Sequence, residues 1–473
     1  MNRTGIFLAA AGVLALVAVV AGTPRLAPPR GSPPTPSVEP PPRTVGRGTL
    51  SITARLSHPL VGLGQQDVFT TVDVKAVELP GSRRSPVNLA LVIDRSGSMS
   101  GFKLNQAKQA ARQLVSQLSA DDRLAIVHYG SDVKSMAGLV ATPANKEKLL
   151  AYIDGIWDDG GTNIGSALAA ARDLLLGSRE GFTVNRAILI SDGQPTEGVT
   201  EPEALLAIAR ELRSSGVSLS SIGVGEDYNE RLMEGFAEVG AGAYAYLQDA
   251  SQLGVIFQKD LNAAGTQVAS GVTLTFRVPR GVSFQRVFGY TQVSTQRDGD
   301  ATLVTVALPD FAAGQQERVV VHLTVSATTA GESVDVSALD LSYRDVLASA
   351  AVRDEARVTA LATDQPQLVL ERRDKDAIVF AARARAAQNA AEAAASIAKG
   401  DRDGARRALQ RNKVLFDEAG DVAGYGAVAG DQKTQAAFEA ELDEARDEGS
   451  RRVLQKRIST QARKDYGLMG STY

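Results

Sequence analysis

LALVIDRSGSMSG, residues Leu89–Gly101, breaks in two at its centre. Leu89 to Ile93 is an unbroken apolar run, partly β-branched, which reads as a strand buried on both faces. At its end the chain places Asp94, Ser96 and Ser98 at alternating positions, with Gly97 and Gly101 between and after them. Alternate residues of a loop leaving a strand can turn their oxygens into one cavity, and the two glycines let the backbone turn sharply. Carboxylate and hydroxyl oxygens suit hard divalent cations. One Asp and two Ser are too few to hold a bare ion, so further oxygen ligands are expected from other loops. Two candidates stand out. DDGGTNIGSAL puts Thr162 in a Gly-rich loop just before a helix, and AILISDGQPTEG puts Asp192 at the end of a second buried strand.

The pattern around these residues sets the fold class. From residue 88 to 264, strands (NLALVID, RLAIVHYG, NRAILISDG, VSLSSIGVG, GAYAYLQ) alternate with amphipathic helices such as KLNQAKQAARQLVSQL. In that helix Leu104, Ala107, Ala111, Leu114, Val115 and Leu118 recur at helical spacing. Such alternation predicts a doubly wound, mostly parallel sheet, with sites beyond the carboxyl ends of its strands. Asp94 and Asp192 both fall at such ends.

Residues 265–362 change period. GVTLTFRVP, ATLVTVALP, ERVVVHLTVSA and VDVSALDLSY are strands separated by Gly, Asp and Pro turns, as in an antiparallel sandwich. TLSITARLSHPLV and QDVFTTVDVKAVEL, within residues 49–87, are expected to complete it, which would make the α/β domain an insertion. Residues 363–473 are Ala-, Arg- and Glu-rich. They predict a helical hairpin turning at Gly400 and Asp401, then a third helix from Gln432 to Arg463 broken at Gly449.

Ahead of all this, residues 1–22 carry Arg3 and an apolar run from Ile6 to Ala21. The run has no polar face and reads as a signal peptide cleaved near Ala21 or as an uncleaved membrane anchor. Residues 23–48 form a Pro-rich linker holding half of the 18 prolines, an extended spacer without a core. The expected location is the periplasm, cell envelope or extracellular space.

Composition removes several function classes. A net charge of −3 and 5% aromatic residues argue against nucleic-acid binding. The absence of Cys excludes disulfides, thiolate metal sites and Cys nucleophiles. His58, His128 and His322 lack ligand spacing and read as structural. GVGED, Gly223–Asp227, lacks the full dinucleotide fingerprint. Asp158 and Asp159 read as a solvated loop edge. Taken singly, the candidate ligands have structural readings too: Asp94 and Ser96 as a cap with a turn, Thr162 as a helix cap, Asp192–Gly193 as a turn.

Taken together, the five residues resemble the metal-ion-dependent adhesion site of the von Willebrand factor A family, written Asp-x-Ser-x-Ser with a distant Thr and a distant Asp. Asp94, Ser96, Ser98, Thr162 and Asp192 match in order and on the expected strand ends. The resemblance implies direct metal contacts from Ser96 and Ser98, contact direct or through water from Thr162, and bridging waters on Asp94 and Asp192. Neutral hydroxyls would leave most of the ion's charge unquenched, open to an acidic residue of a partner protein. So few carboxylates suit Mg²⁺, with Mn²⁺ or Ca²⁺ as alternatives. The wider arrangement is similar to exported bacterial proteins labelled as chloride-channel homologues, but one marginal apolar segment cannot form a pore.

The expected function is therefore metal-dependent protein binding in adhesion or scaffolding, not catalysis. An alternative is a partner of a cellular ATPase in assembling envelope complexes. A phosphatase-like hydrolase would need a second carboxylate two residues after Asp94, where Ser96 stands.

Overall fold

Long apolar runs become interior strands and alternating ones become the two faces of a sandwich, as follows from a computed structural model of the chain. It describes residues 43–79, 85–182, 184–225, 228–247 and 253–466. The expected signal or anchor segment and the linker up to residue 42 lie outside the described residues.

Four strands come first: β1 (Arg43–Val45), β2 (Leu50–Leu56), β3 (Leu60–Gly62) and β4 (Gly64–Ala76). The α/β region runs β5 (Val87–Asp94), α1 (Phe102–Gln117), β6 (Arg123–Tyr129), β7 (Val133–Val140), α2 (Pro143–Asp154), α3 (Ile164–Leu176) and β8 (Val184–Ser191). It continues with α4 (Pro202–Ser214), β9 (Val217–Val224), α5 (Glu230–Val239), β10 (Ala241–Leu247) and α6 (Leu253–Gly265). Then follow β11 (Gln267–Val278), β12 (Val282–Phe288), β13 (Val293–Asp298), β14 (Ala301–Ala307), β15 (Phe311–Ala312), β16 (Gln316–Ala327), β17 (Ser333–Asp345) and β18 (Ala350–Thr363). The last elements are α7 (Pro366–Glu371), α8 (Lys375–Ala398), α9 (Arg402–Ala423), α10 (Ala429–Glu444) and α11 (Glu448–Asp465).

The α/β sheet has the order β10-β9-β8-β5-β6-β7. β5 is buried at all eight positions and pairs in parallel with β6 on one side and β8 on the other. Its carboxyl end is therefore the topological switch point, where α/β sheets place their ligands. One apolar layer packs on each face, around Leu104, Ala111 and Leu114 of α1 and around Leu168, Leu205 and Phe236 of α3, α4 and α5. β7 is an antiparallel edge strand that the sequence reading missed. Its residues VKSMAGLV are mostly exposed or half-buried, so no apolar period marks it.

The β region is a sandwich of two sheets, ordered β1-β2-β4-β16-β12 and β13-β14-β11-β17-β18-β3. One apolar core joins them, with Ile52, Val72 and Val321 on one side and Leu274, Phe276 and Leu341 on the other. β4 is an interior strand. It pairs with β2 on one edge and with β16 from Gly64↔Ala327 to Lys75↔Gln316 on the other. β3 crosses to the second sheet and runs parallel to β18. The α/β region leaves this sandwich after β4 and returns at β11, and the two crossings touch: Ser85 N–H donates to the Gly265 carbonyl at 2.7 Å.

The helical region follows the expected hairpin. α8 and α9 meet through alanines such as Ala387, Ala394, Ala405 and Ala408, which allow close approach. Gly400 turns the chain at φ 75°, and Asp401 caps α9 by accepting the Gly404 N–H at 2.8 Å. Ala384 of α8 packs with Phe288 and Val320 on the outer face of the first sandwich sheet. The third helix is two helices, and the break precedes the expected Gly449. Asp447 accepts the Ser450 N–H at 2.8 Å and so starts α11 with Gly449 already inside its first turn.

Val68, Val72 and Val74 of β4 are fully buried, and burying each contributes roughly 1.5–3 kcal/mol. A chain beginning at Ser85 loses these side chains and leaves the whole edge of β16 unpaired. It should aggregate on light scattering where a chain beginning at Arg43 stays monodisperse. Equal solubility and equal thermal midpoints would show that β4 is dispensable.

Candidate metal centre

Asp94 ends β5 and Asp192 follows β8, so the parallel pairing of those strands brings two carboxylates to one edge. Both are completely buried. Ser191 stands between them: its hydroxyl donates to Asp94 Oδ2 at 2.6 Å and accepts the Gly193 N–H at 2.8 Å. Tyr129, at the end of β6, donates its hydroxyl to the same Oδ2 at 3.3 Å. Asp94 Oδ1 accepts the Ser96 N–H at 2.9 Å, which shapes the turn out of β5. The turn part of the cap-and-turn reading thus holds for Asp94, but it caps no helix. The Ser96 side chain caps nothing; its Oγ lies 3.1 Å from Ser98 Oγ.

Thr162 is brought to this edge by its neighbours. Gly97 N–H donates to the Gly160 carbonyl at 3.0 Å, joining the Ser96–Ser98 turn to the Gly-rich loop. Gly160 has φ 77°, and a Cβ there would stand 2.6 Å from Ser131 Oγ, so this position demands glycine. Thr162 itself is buried, its N–H bonded to Thr196 Oγ1 at 2.8 Å and its carbonyl to the Thr196 and Glu197 N–H groups. The cap of α3 is Asn163, which accepts the Ser166 N–H at 3.2 Å, and not Thr162. The structure therefore gathers Asp94, Ser96, Ser98 and Asp192 directly, with Thr162 in the adjoining loop.

Lys103 and Arg95, like Tyr129, were invisible in the sequence. Lys103, in the first turn of α1, reaches Asp192 Oδ2 at 3.2 Å. Arg95 is buried and ties three loops, through ion pairs to Asp132 and Asp159 and a 3.1 Å bond to the Asp159 carbonyl. Asp158 is solvated as expected, whereas Asp159 has this guanidinium as a partner. Ser191 had a signal, since it completes the strand immediately before Asp192. The three histidines lie apart: His58 bonds Ser57, His128 packs edge-on against Tyr152, and His322 stacks on Phe69. Of GVGED, Glu226 and Asp227 lie outside the described residues.

Asp192 Oδ1 is buried and has no hydrogen-bond partner. A buried carboxylate oxygen without a donor is costly. Among the described residues no group of three or more His, Cys, Asp or Glu converges as a metal cluster. An ion at this edge would thus be met by hydroxyls and two carboxylates, a donor set that fits a hard cation retaining several waters. Burial, reinforced by the nearby Asp192 charge, pushes the Asp94 carboxyl up to about 6 against the opposing bonds from Ser191 and Ser96.

A family profile for the von Willebrand factor type A domain matches residues 88–259. Those residues are a von Willebrand factor type A domain. The uncharacterised protein YfbK of Escherichia coli K12 is 32% identical over 228 residues, 46% of this chain and 37% of its own length. Human inter-alpha-trypsin inhibitor heavy chain H4 is 30% identical over 204 residues, 41% of this chain and 22% of its length. The chain thus spans well under half the length of these curated relatives. Two solved structures resemble more than the domain alone. A von Willebrand factor type A protein from Catenulispora acidiphila aligns at TM-score 0.65 and 17% identity over 87% of this chain and 96% of its own. The ArnB paralog VWA2 from Sulfolobus acidocaldarius aligns at TM-score 0.53 and 17% identity over 88% and 99%. The A domain and its attached sandwich and helices therefore form a fold seen elsewhere.

The raised Asp94 carboxyl has a consequence for stability. The folded chain keeps this proton up to about pH 6, whereas the unfolded chain loses it near an ordinary aspartate value of about 4. Stability without divalent ions therefore falls as pH rises through that window and levels off above it. Asp94→Asn escapes this loss. In EDTA its stability relative to wild type should climb between about pH 4 and 6 by about 3 kcal/mol. Denaturant unfolding across pH measures it, and a difference independent of pH would contradict the burial argument.

Proposed function

We propose that the A domain holds one divalent cation, Mg²⁺ first and Mn²⁺ or Ca²⁺ as alternatives, at Asp94, Ser96, Ser98, Thr162 and Asp192. The ion would accept an acidic side chain from a partner protein. The chain then acts as an adhesion or scaffolding module, exported and either released or anchored through residues 6–21. Domains of this family commonly mediate protein–protein interaction, which supports the general class of function.

The observation that carries the reading is the partnerless Asp192 Oδ1, buried at the edge where the Ser96 and Ser98 hydroxyls stand side by side. When bound, the cation would supply Lewis acidity toward an incoming carboxylate. The chain's own residues set its strength. Ser96, Ser98 and Thr162 offer neutral oxygens, so the ion keeps most of its charge for the partner. Ser191 and Tyr129 hold Asp94 in place by donating to its second oxygen. Lys103 already neutralises part of Asp192 and so opposes a second cation there. The reading is of binding, not hydrolysis: Ser96 occupies the place of the acid/base carboxylate that a phosphoryl-transfer site would need.

Calorimetric titration with Mg²⁺ and Mn²⁺ tests the assignment. Asp94→Ala and Asp192→Ala should abolish binding while circular dichroism stays that of wild type. Lys103→Met should tighten binding several-fold, on the order of the 1 kcal/mol that removing a nearby like charge is worth. Unchanged affinity in both aspartate variants would overturn the metal site.

A further inference from the structure

The edge that carries the candidate metal site also carries the most exposed large apolar side chains among the described residues. Trp157 is 75% exposed and Phe102 74%, with Val199 at 38%. Phe102 opens α1, and Trp157 and Val199 sit on two different loops. Phe102 precedes Lys103, the residue that reaches Asp192. Trp157 lies two residues before Asp159, whose N–H bonds the Arg95 carbonyl at 2.8 Å. Val199 lies two residues after Glu197, whose N–H bonds the Thr162 carbonyl at 3.2 Å. Exposed aromatics in contact only with water are unfavourable, and clusters of them mark contact surfaces.

Trp157 is also braced. The Lys108 ammonium lies 5.3 Å from its ring centre, and is itself fixed by the Asp154 and Ile156 carbonyls at 2.7 and 2.9 Å. A side chain so exposed yet already positioned loses less freedom on docking, and tryptophan is the commonest anchor of binding energy at interfaces.

Charge narrows the partner. Around these apolar groups stand the carboxylates of Asp132, Asp158, Asp159 and Glu197. The cations among them are Lys134, which is exposed, Lys103, and the buried Arg95 and Lys108. The solvent-exposed charges of the rim are therefore mostly acidic (Asp132, Asp158 and Asp159 against Lys134), while a metal-loaded centre favours a carboxylate. Few ligands satisfy both.

We propose that this rim docks a protein segment presenting one carboxylate flanked by apolar and basic side chains. The carboxylate meets the ion, the apolar neighbours cover Trp157 and Phe102, and the Lys or Arg residues face the ring of Asp132, Asp158, Asp159 and Glu197. This rests on the metal reading above, but the apolar and acidic rim can be tested separately from it.

The probe is a phage-displayed library of randomised disulfide-closed peptides, selected on the full chain in Mg²⁺. Enriched peptides should share one Asp or Glu beside apolar and Lys or Arg residues. Fluorescence anisotropy of a labelled peptide then gives affinities. Trp157→Ala and Phe102→Ala should each weaken binding about tenfold or more, the scale of an interface anchor. Because Trp157 is the single tryptophan of the chain, its intrinsic fluorescence should shift on binding to wild type. Loss of binding in EDTA with no effect of either aromatic substitution would overturn the rim and leave the metal reading standing. Loss with the aromatic substitutions but none in EDTA would keep the rim as a docking surface and overturn its dependence on the ion. No enrichment, enrichment of peptides lacking the basic residues, or Mg²⁺-dependent self-association abolished by Trp157→Ala would overturn the proposal.

Discussion

Two fully buried carboxylates on neighbouring parallel strands constrain everything else at this edge of the protein. Asp94 and Asp192 repel one another where solvent cannot screen them, and burial penalises both charges. The chain answers with donors. Ser191, Tyr129 and the Ser96 N–H serve Asp94, and Lys103 serves one oxygen of Asp192. One oxygen is left over. All but one oxygen of the buried pair is satisfied, beside two serine hydroxyls that lie 3.1 Å from one another, which is the arrangement the proposed ion site rests on.

The rest of the architecture holds that edge in position. β5 lies at the centre of its sheet, so the loops after β5, β6 and β8 meet at the switch point, and Arg95 ties the loop after β5 to the β6–β7 turn through Asp132 and to the loop before α3 through Asp159. The A domain leaves and rejoins the sandwich through crossings joined by the Ser85–Gly265 hydrogen bond. α11 reaches the A domain as well: the Lys456 ammonium donates to the Gly225 carbonyl at 3.2 Å and lies over the rings of Tyr228 and Tyr246. A site presented from a base fixed at several points is consistent with the adhesion or scaffolding role proposed above.

Much of this was legible in the chain because local chemistry repeats the fold. LALVID and AILIS are too continuously apolar to be anything but interior strands, and the polar residues that end them must then stand at the sheet edge. That reasoning pointed to Asp94, Ser96, Ser98 and Asp192, whereas Thr162 was marked by its Gly-rich loop before a helix. Neither signal could reach Lys103 or Tyr129. Their roles come from the packing of α1 and β6 against β5 and leave no trace in residue spacing. β7 escaped for a related reason, since an edge strand half open to solvent needs no apolar period. The helix break moved from Gly449 to Asp447 because a capping carboxylate, not a glycine, starts α11. Nothing in residue type or spacing marks Trp157 and Phe102 as exposed, because exposure is set by how the loops and α1 pack.

The most direct measurement is anomalous scattering at the manganese edge from crystals of the full chain grown with MnCl₂. The account requires one strong peak at the carboxyl end of β5, bounded by the side-chain oxygens of Ser96, Ser98 and Thr162, with Asp192 Oδ1 turned toward it. A map with no peak at that edge at saturating Mn²⁺, or with manganese bound only elsewhere, would contradict it.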